Sequence, residues 1–204
     1  MLKGQTIFFV FLFYLPSFSF SSEKLVVLSD THYFGPHALS KELLKQKINI
    51  SLGDIFDRKW TLKNEVIQAS KEQKEFSEFC KKKGVIEIDG NHDLKSDLLF
   101  YVKNGVLFTH GHYVSWDQKT IDKKEKSSKN GVLQKARDVF LTEEMAHPYG
   151  TLSKRKIQKA VMLARKYNCH TIVFGHTHVE KLIDMKVDGV RIINVPRGLT
   201  SIEV

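Results

Sequence analysis

The chain has 204 residues, room for one domain with a substantial core and too little for two ordinary ones. Apolar residues make up 42% and charged residues 27%, which excludes a disordered or collagen-like chain. Lys and Arg number 32 against 23 Asp and Glu, a net charge of +9 that favours anionic partners; two cysteines, Cys80 and Cys169, are too few for a disulfide framework or a four-thiolate zinc site.

Six of the fourteen Phe fall in the first twenty residues, where Lys3 is the one charged side chain. The apolar run 7–15, the breaker Pro16 and the small residues Ser17, Ser19, Ser21 and Ser22 form the pattern of a secretory signal peptide over residues 1–22. The run is shorter than the roughly 20 residues that span a bilayer, so an uncleaved membrane anchor ranks second. The expected location is therefore exported or membrane-associated, with any membrane contact made through residues 1–22 and a cytoplasmic protein as the third alternative. Export would expose Cys80 and Cys169 to an oxidising compartment, though one candidate pair is thin evidence for a disulfide.

From residue 23 onward, strand-like and helix-like segments alternate. Residues 24–28 (KLVVL) read as a strand, 37–46 as a helix and 48–52 (INISL) as a strand. The long polar stretch 62–83 is a helix candidate with Val66, Ile67, Phe76 and Phe79 on its buried face. Residues 85–88 form a strand, and 98–102 with 106–109 form a hairpin around Asn104-Gly105. Ser153 caps a helix running to about Tyr167, followed by a strand over 171–174. Residues 182–187 and 190–195 flank Asp188-Gly189 as a second hairpin. Such an order predicts a mixed sheet or two packed sheets with helices outside, an α/β chain of α+β type.

The strand ends carry the chemistry. Asp30 and His32 follow the first strand, Asp54 and Asp57 the second, and Asn91, His92 and Asp93 the third. His110 and His112 follow the strand 106–109, and His176 and His178 the strand 171–174, so six of nine histidines sit in these junctions. Loops at strand carboxyl ends share one rim of a sheet, where α/β folds build their sites. Carboxylate, imidazole and amide oxygen converging there make a mixed N/O metal site suited to Zn, Mn or Fe. Each fragment alone is a common turn; five in one order, each after its own strand, are not independent turns.

The series Asp30-Thr31-His32, Gly53-Asp54-Ile55-Phe56-Asp57-Arg58, Gly90-Asn91-His92-Asp93, His110-Gly111-His112 and Gly175-His176-Thr177-His178 resembles the calcineurin-like metallophosphoesterase family. The resemblance spans residues 24 to about 195. It implies a two-sheet β-sandwich flanked by helices, holding two divalent metal ions, with Mn favoured over Zn or Fe. Position by position, it implies that Asp30, His32 and His178 bind one ion, Asn91, His110 and His176 the other, and Asp54 bridges them. His92 would protonate the leaving group and Asp57 would orient it, while Arg58 and Asn91 would bind the substrate phosphate. His112 is the alternative to His110 as ligand, and His110 is favoured by family position. Tyr is absent three residues after Asp54, where the purple acid phosphatases carry it, and Asp57 stands there instead. After the last hairpin, Asn194-Val195-Pro196-Arg197-Gly198 replaces the Asn-Pro-Gly-Ser turn frequent in the family. His37, His147 and His170 have no place in the pattern and read as ordinary surface or core histidines.

The stretch 113–167 reads as a helical basic insertion near the site mouth, with thirteen Lys and Arg against six Asp and Glu. Lys154, Arg155 and Lys156 crowd a helix N-terminus, where the dipole disfavours cations unless an anion binds nearby. A cationic lid selecting an anionic, nucleotide-like or polyanionic phosphate ester follows as the expectation, with nucleic acid among the candidates. The competing readings are a pyrophosphatase acting on a nucleotide-linked lipid sugar, and an inactive scaffold with the same fold. The polar run 122–130 makes a poor wall for an acyl chain, and no ligand of the series is missing.

Overall fold

The computed structural model describes residues 22–32, 45–56, 63–92, 98–115 and 152–204, of which 63–70 are described by their backbone. Among the described residues, nine strands form two sheets. The first sheet contains β1 (Lys24–Ser29), β2 (Ile50–Ser51), β3 (Ile86–Glu87) and β9 (Gly198–Glu203), in the order β3-β2-β1-β9. The second contains β4 (Phe100–Lys103), β5 (Val106–Thr109), β6 (Thr171–Phe174), β7 (Ile183–Val187) and β8 (Val190–Asn194), in the order β4-β5-β6-β8-β7. The described helices are α1 (Lys63–Lys83), α2 (His112–Ser115) and α3 (Lys154–Lys166).

Alternation along the strands assigns each apolar side chain to a layer. Leu25 and Val27 of β1, Ile50 of β2, Val106 and Phe108 of β5, Val173 of β6 and Ile193 of β8 meet in one cluster between the sheets. On the outer face of the first sheet, Leu28 packs with Ile55, Phe56 and with Phe76 and Cys80 of α1. On the outer face of the second, Leu107, Ile172, Phe174 and Ile192 pack against Ala160, Val161 and Ala164 of α3. The small residues of α3 let it lie close to the sheet. The expected sandwich flanked by helices is therefore present.

Both hairpins form with the anticipated turns. Asn104-Gly105 and Asp188-Gly189 all have positive φ, as a tight turn matched to strand twist requires. Ser153 caps α3 by accepting from the backbone N–H of Lys156, and the first turn holds Lys154, Arg155 and Lys156 with no acidic residue. α3 falls within the stretch 113–167, yet it is an outer layer of the sandwich; residues 116–151 of that stretch lie outside the described residues. So do residues 1–21, residues 37–44 of the helix expected over 37–46, and His37 and His147. No described helix is long and apolar enough to cross a membrane.

One strand escaped the pattern. β9 pairs antiparallel with all six residues of β1, yet Ile202 is its one buried side chain. Cys80 and Cys169 are both free and buried, one in the α1 layer and one in the α3 layer, on opposite sides of the sandwich. Burial pushes both thiols above the ordinary range for cysteine, which keeps them protonated.

Candidate metal centre

Parallel pairing of β1 with β2, β2 with β3, β5 with β6 and β6 with β8 points their carboxyl ends to common rims. The loops after β1, β2 and β3 and those after β5 and β6 then meet where the two sheets come together. Hydrogen bonds knit these loops: Asp30 N–H donates to Gly53 O, His32 N–H to Asp54 O, and Gly175 N–H to His110 O. The backbone N–H of His92 donates to Asp54 Oδ1 at 2.8 Å, and that of His176 to Asp30 Oδ2 at 2.7 Å.

Seven residues anticipated as ligands come together at this junction. His32 Nε2 lies 3.0 Å from His178 Nε2, and Asp30 Oδ1 lies 3.5 Å from His178 Nε2. Beside them, His110 Nε2 lies 3.0 Å from Asn91 Oδ1, 3.0 Å from His176 Nδ1 and 3.1 Å from Asp54 Oδ2. Asp54 Oδ2 is also 3.8 Å from His32 Nε2, so this carboxylate sits between the two groups. The His92 ring stands edge-on to that of His32, with centroids 5.0 Å apart, and joins a His32–Asp54–His92 group. Asp57 and Arg58 lie outside the described residues.

These donors fit divalent cations. Within each of the groups Asp30–Asp54–His110–His176, Asp30–His32–His178 and His32–Asp54–His92, one donor atom per residue lies within 4.8 Å of the others. Ligand atoms bonded at about 2.0–2.2 Å to a shared ion are spaced on this scale. His110 Nδ1 is 2.8 Å from Leu52 O, which only accepts, so Nδ1 carries a proton and Nε2 is the ring atom aimed at the centre. That atom faces the oxygens of Asp54 and Asn91, so three donor atoms converge where one cation could be held. Asp30 Oδ1 is buried and accepts no hydrogen bond from the described residues, another sign of an electropositive partner.

Protonation follows the same logic. Burial pushes the Asp54 carboxyl up, but the imidazoles of His110, His92 and His32 prevail and hold it well below the usual carboxylate range. For His176, burial and then the neighbouring His110 push the ring well below the usual histidine range. An ionised Asp54 and a neutral His176 are the forms that bind metal.

The backbone is strained at the same positions. Asp30, His32, Asp54, His176 and His178 all have φ between 46° and 67°, left-handed values that cost a side-chain-bearing residue roughly 1–2 kcal/mol each. Two glycines permit the close approach. A Cβ on Gly90 would collide with the carboxylate and backbone N of Asp54, and one on Gly175 with Ser29 Oγ and Asp30 Oδ2.

The profile of the calcineurin-like phosphoesterase family matches residues 23–180. The chain belongs to this family. Solved structures of similar fold include Vps29 complexed with Zn2+ from Entamoeba histolytica, 16% identical, covering 86% of this chain and 74% of that one at a TM-score of 0.44. Another is a conserved uncharacterized protein from Streptococcus pneumoniae TIGR4, described as a predicted phosphoesterase. It is 14% identical, covering 90% and 84% of the two chains at a TM-score of 0.44. A third is a cold-active protein-tyrosine phosphatase of a psychrophile, Shewanella sp., 18% identical, covering 86% and 71% at a TM-score of 0.42. No match was found among curated protein sequences.

His112 is buried, with its ring tilted over Tyr113 at 4.1 Å and its centroid 5.4 Å from that of His110. It belongs to none of the donor groups among the described residues. Several supporting residues have no motif of their own. Ser29 Oγ donates to Asp30 Oδ2, Thr31 Oγ1 to Ile55 O at 3.0 Å, and Thr177 Oγ1 to Asn194 Oδ1 at 2.5 Å. Adjacency in the chain to a candidate ligand marks Ser29, Thr31 and Thr177. Asn194 is identifiable only from its place in the variant turn.

Proposed function

We propose that this calcineurin-like phosphoesterase is a dinuclear-metal-dependent hydrolase of phosphate esters on an anionic, nucleotide-like or polyanionic substrate. The observation that carries the reading is the placement of Asp54 Oδ2 between two donor groups, 3.1 Å from His110 Nε2 and 3.8 Å from His32 Nε2. Asp30, His32 and His178 would hold one divalent ion and Asn91, His110 and His176 the other, with Asp54 shared. Two such ions, Mn2+ being the favoured pair, supply charge neutralisation for the phosphoryl oxygens and a water of lowered pKa as nucleophile.

The chain's own groups do the rest. The Leu52 carbonyl holds His110 in the tautomer that presents Nε2. Asn91 contributes a neutral oxygen, so the loaded centre keeps net positive charge toward an anionic ester. His92 is fixed by its backbone bond to Asp54 Oδ1 and stands beside the centre, where its ring delivers a proton to the departing alkoxide. Asp57 is assigned the orienting contact with His92, and Arg58 a contact with the phosphate.

The test is reconstitution of the metal-free full-length protein with Mn2+, followed by assay against a chromogenic monoester, a diester and a nucleotide sugar. About two bound ions per chain and metal-dependent ester hydrolysis are expected. A protein that binds no divalent cation, or binds two and hydrolyses none of the panel, removes the reading in favour of a scaffold.

A further inference from the structure

The group Asp30–His32–His178 is assembled across the sandwich: Asp30 and His32 follow β1 in the first sheet, and His178 follows β6 in the second. Its geometry therefore depends on how the two sheets are held together at this rim. The chain itself crosses there. Asn194 is the last residue of β8 in the second sheet, and Gly198 is the first of β9 in the first. Val195, Pro196 and Arg197 make the crossing.

Each end of the crossing grips one ligand loop. Asn194 is fully buried; its Nδ2 donates to Phe174 O at 2.9 Å and to Gly175 O at 3.2 Å, and its Oδ1 accepts from Thr177 Oγ1. The loop so held carries His176 and His178. At the other end, Arg197 Nε donates to Asp30 O at 3.0 Å, and its Nη2 lies 3.5 Å from Thr31 O. That loop carries Asp30 and His32, both in left-handed backbone that the local sequence does not favour. Between the grips, Val195 is buried and its N–H donates to Phe174 O, while Pro196 has a fixed φ. The N–H side of the 30–32 loop is already tied to Gly53 and Asp54, so Arg197 completes its restraint from the carbonyl side.

We infer that the Asn194–Arg197 crossing is a clasp that sets the geometry of the Asp30–His32–His178 metal site, with Arg197 as its positioning residue on the β1 side. The inference rests on the dinuclear reading above and adds a selective role. Among the described residues, Arg197 bonds to the loop of Asp30 and His32, whereas Asn91 and His110 are held by other elements. Substituting Arg197 therefore weakens one of two cation sites. Loss of an outer partner of a metal ligand typically lowers affinity by about 10- to 100-fold.

The experiment is calorimetric titration of the metal-free full-length protein with Mn2+, comparing wild type, His178→Ala, Arg197→Ala and Arg197→Lys. His178→Ala identifies the binding step that belongs to the Asp30–His32–His178 site. Arg197→Ala is expected to weaken that same step about 10- to 100-fold and leave the other unchanged. Arg197→Lys, which keeps a charged donor, recovers part of the loss. Arg197→Gln takes the place of the alanine variant should that one fail to fold, with the same step weakened. If wild type shows two steps and the Arg197 variants leave both unchanged, or weaken both equally, the clasp is refuted and the dinuclear reading stands. If wild type binds no Mn2+, both fail together.

Discussion

Asp54→Asn is the most informative single change. The substitution keeps the shape of a side chain that is 1% exposed while removing its charge. In the metal-free protein the change removes a carboxylate that the neighbouring imidazoles hold in its ionised form, so each protein's own metal-free Tm is the reference. The effect on metal binding is large. A unit charge 4 Å from another is worth about 4 kcal/mol at an effective dielectric of 20, or roughly a thousandfold in affinity. At a Mn2+ concentration about 100 times the wild-type Kd, ligand binding stabilises the native state by about 2.7 kcal/mol. For a domain of this size that corresponds to a rise in Tm of roughly 5–11 °C. With affinity reduced about a thousandfold, the same concentration contributes less than about 0.1 kcal/mol, and the rise vanishes. The assay is thermal unfolding of wild type and variant, each metal-free and with Mn2+. A variant that keeps the wild-type Mn2+-induced rise would show that Asp54 is not the shared ligand.

Three further outcomes are expected. His92→Ala leaves Mn2+ affinity unchanged and slows hydrolysis of esters with poor leaving groups by about 10²–10⁴-fold, while activated chromogenic esters lose much less; an equal loss on both would refute the assignment of the proton donor. Gly175→Ala drives a methyl group into Ser29 and Asp30, and overpacking of this kind costs about 1–3 kcal/mol, read as a lower urea midpoint together with weaker Mn2+ binding. His176 has a depressed pKa, so its folded form stays neutral while the unfolded chain takes up a proton near pH 6.5. Its contribution to stability is present above that pH and is lost as pH falls. In metal-free protein, wild type should therefore lose stability between pH 7 and 5.5 more steeply than His176→Gln, by up to about 1.4 kcal/mol per pH unit. Equal slopes would contradict the neutral assignment.

The reading order of the chain matches the depth at which each feature is encoded. Thr171–Phe174 is legible to the residue because four apolar or β-branched residues end at Gly175 and every one is buried. The two hairpins are legible because Asn-Gly and Asp-Gly adopt positive φ readily. β2 and β3 are two residues each, although Asn49, Leu52 and Ile88 beside them still donate to Val26, Leu28 and Ser51 of the neighbouring strands. β9 is invisible because one face is solvent, one side chain is buried, and its pairing with β1 is a long-range event with no local signal. The site was readable as residue types after strands, whereas its outer contacts were not: Arg197 reaches Asp30 across 167 positions of chain through a backbone carbonyl, which leaves no trace in residue type.

By itself the sequence determined which donors this protein has and that each follows a strand, because side-chain chemistry and hydrophobic period are local properties. Only the tertiary structure decided that Asp54 stands between His32 and His110, that Cys80 and Cys169 lie in separate layers, and that Asn194 and Arg197 bond to the loops of His176–His178 and Asp30–His32. Those relations depend on sheet register and on backbone held in left-handed conformations, and they exist only once the two sheets have packed.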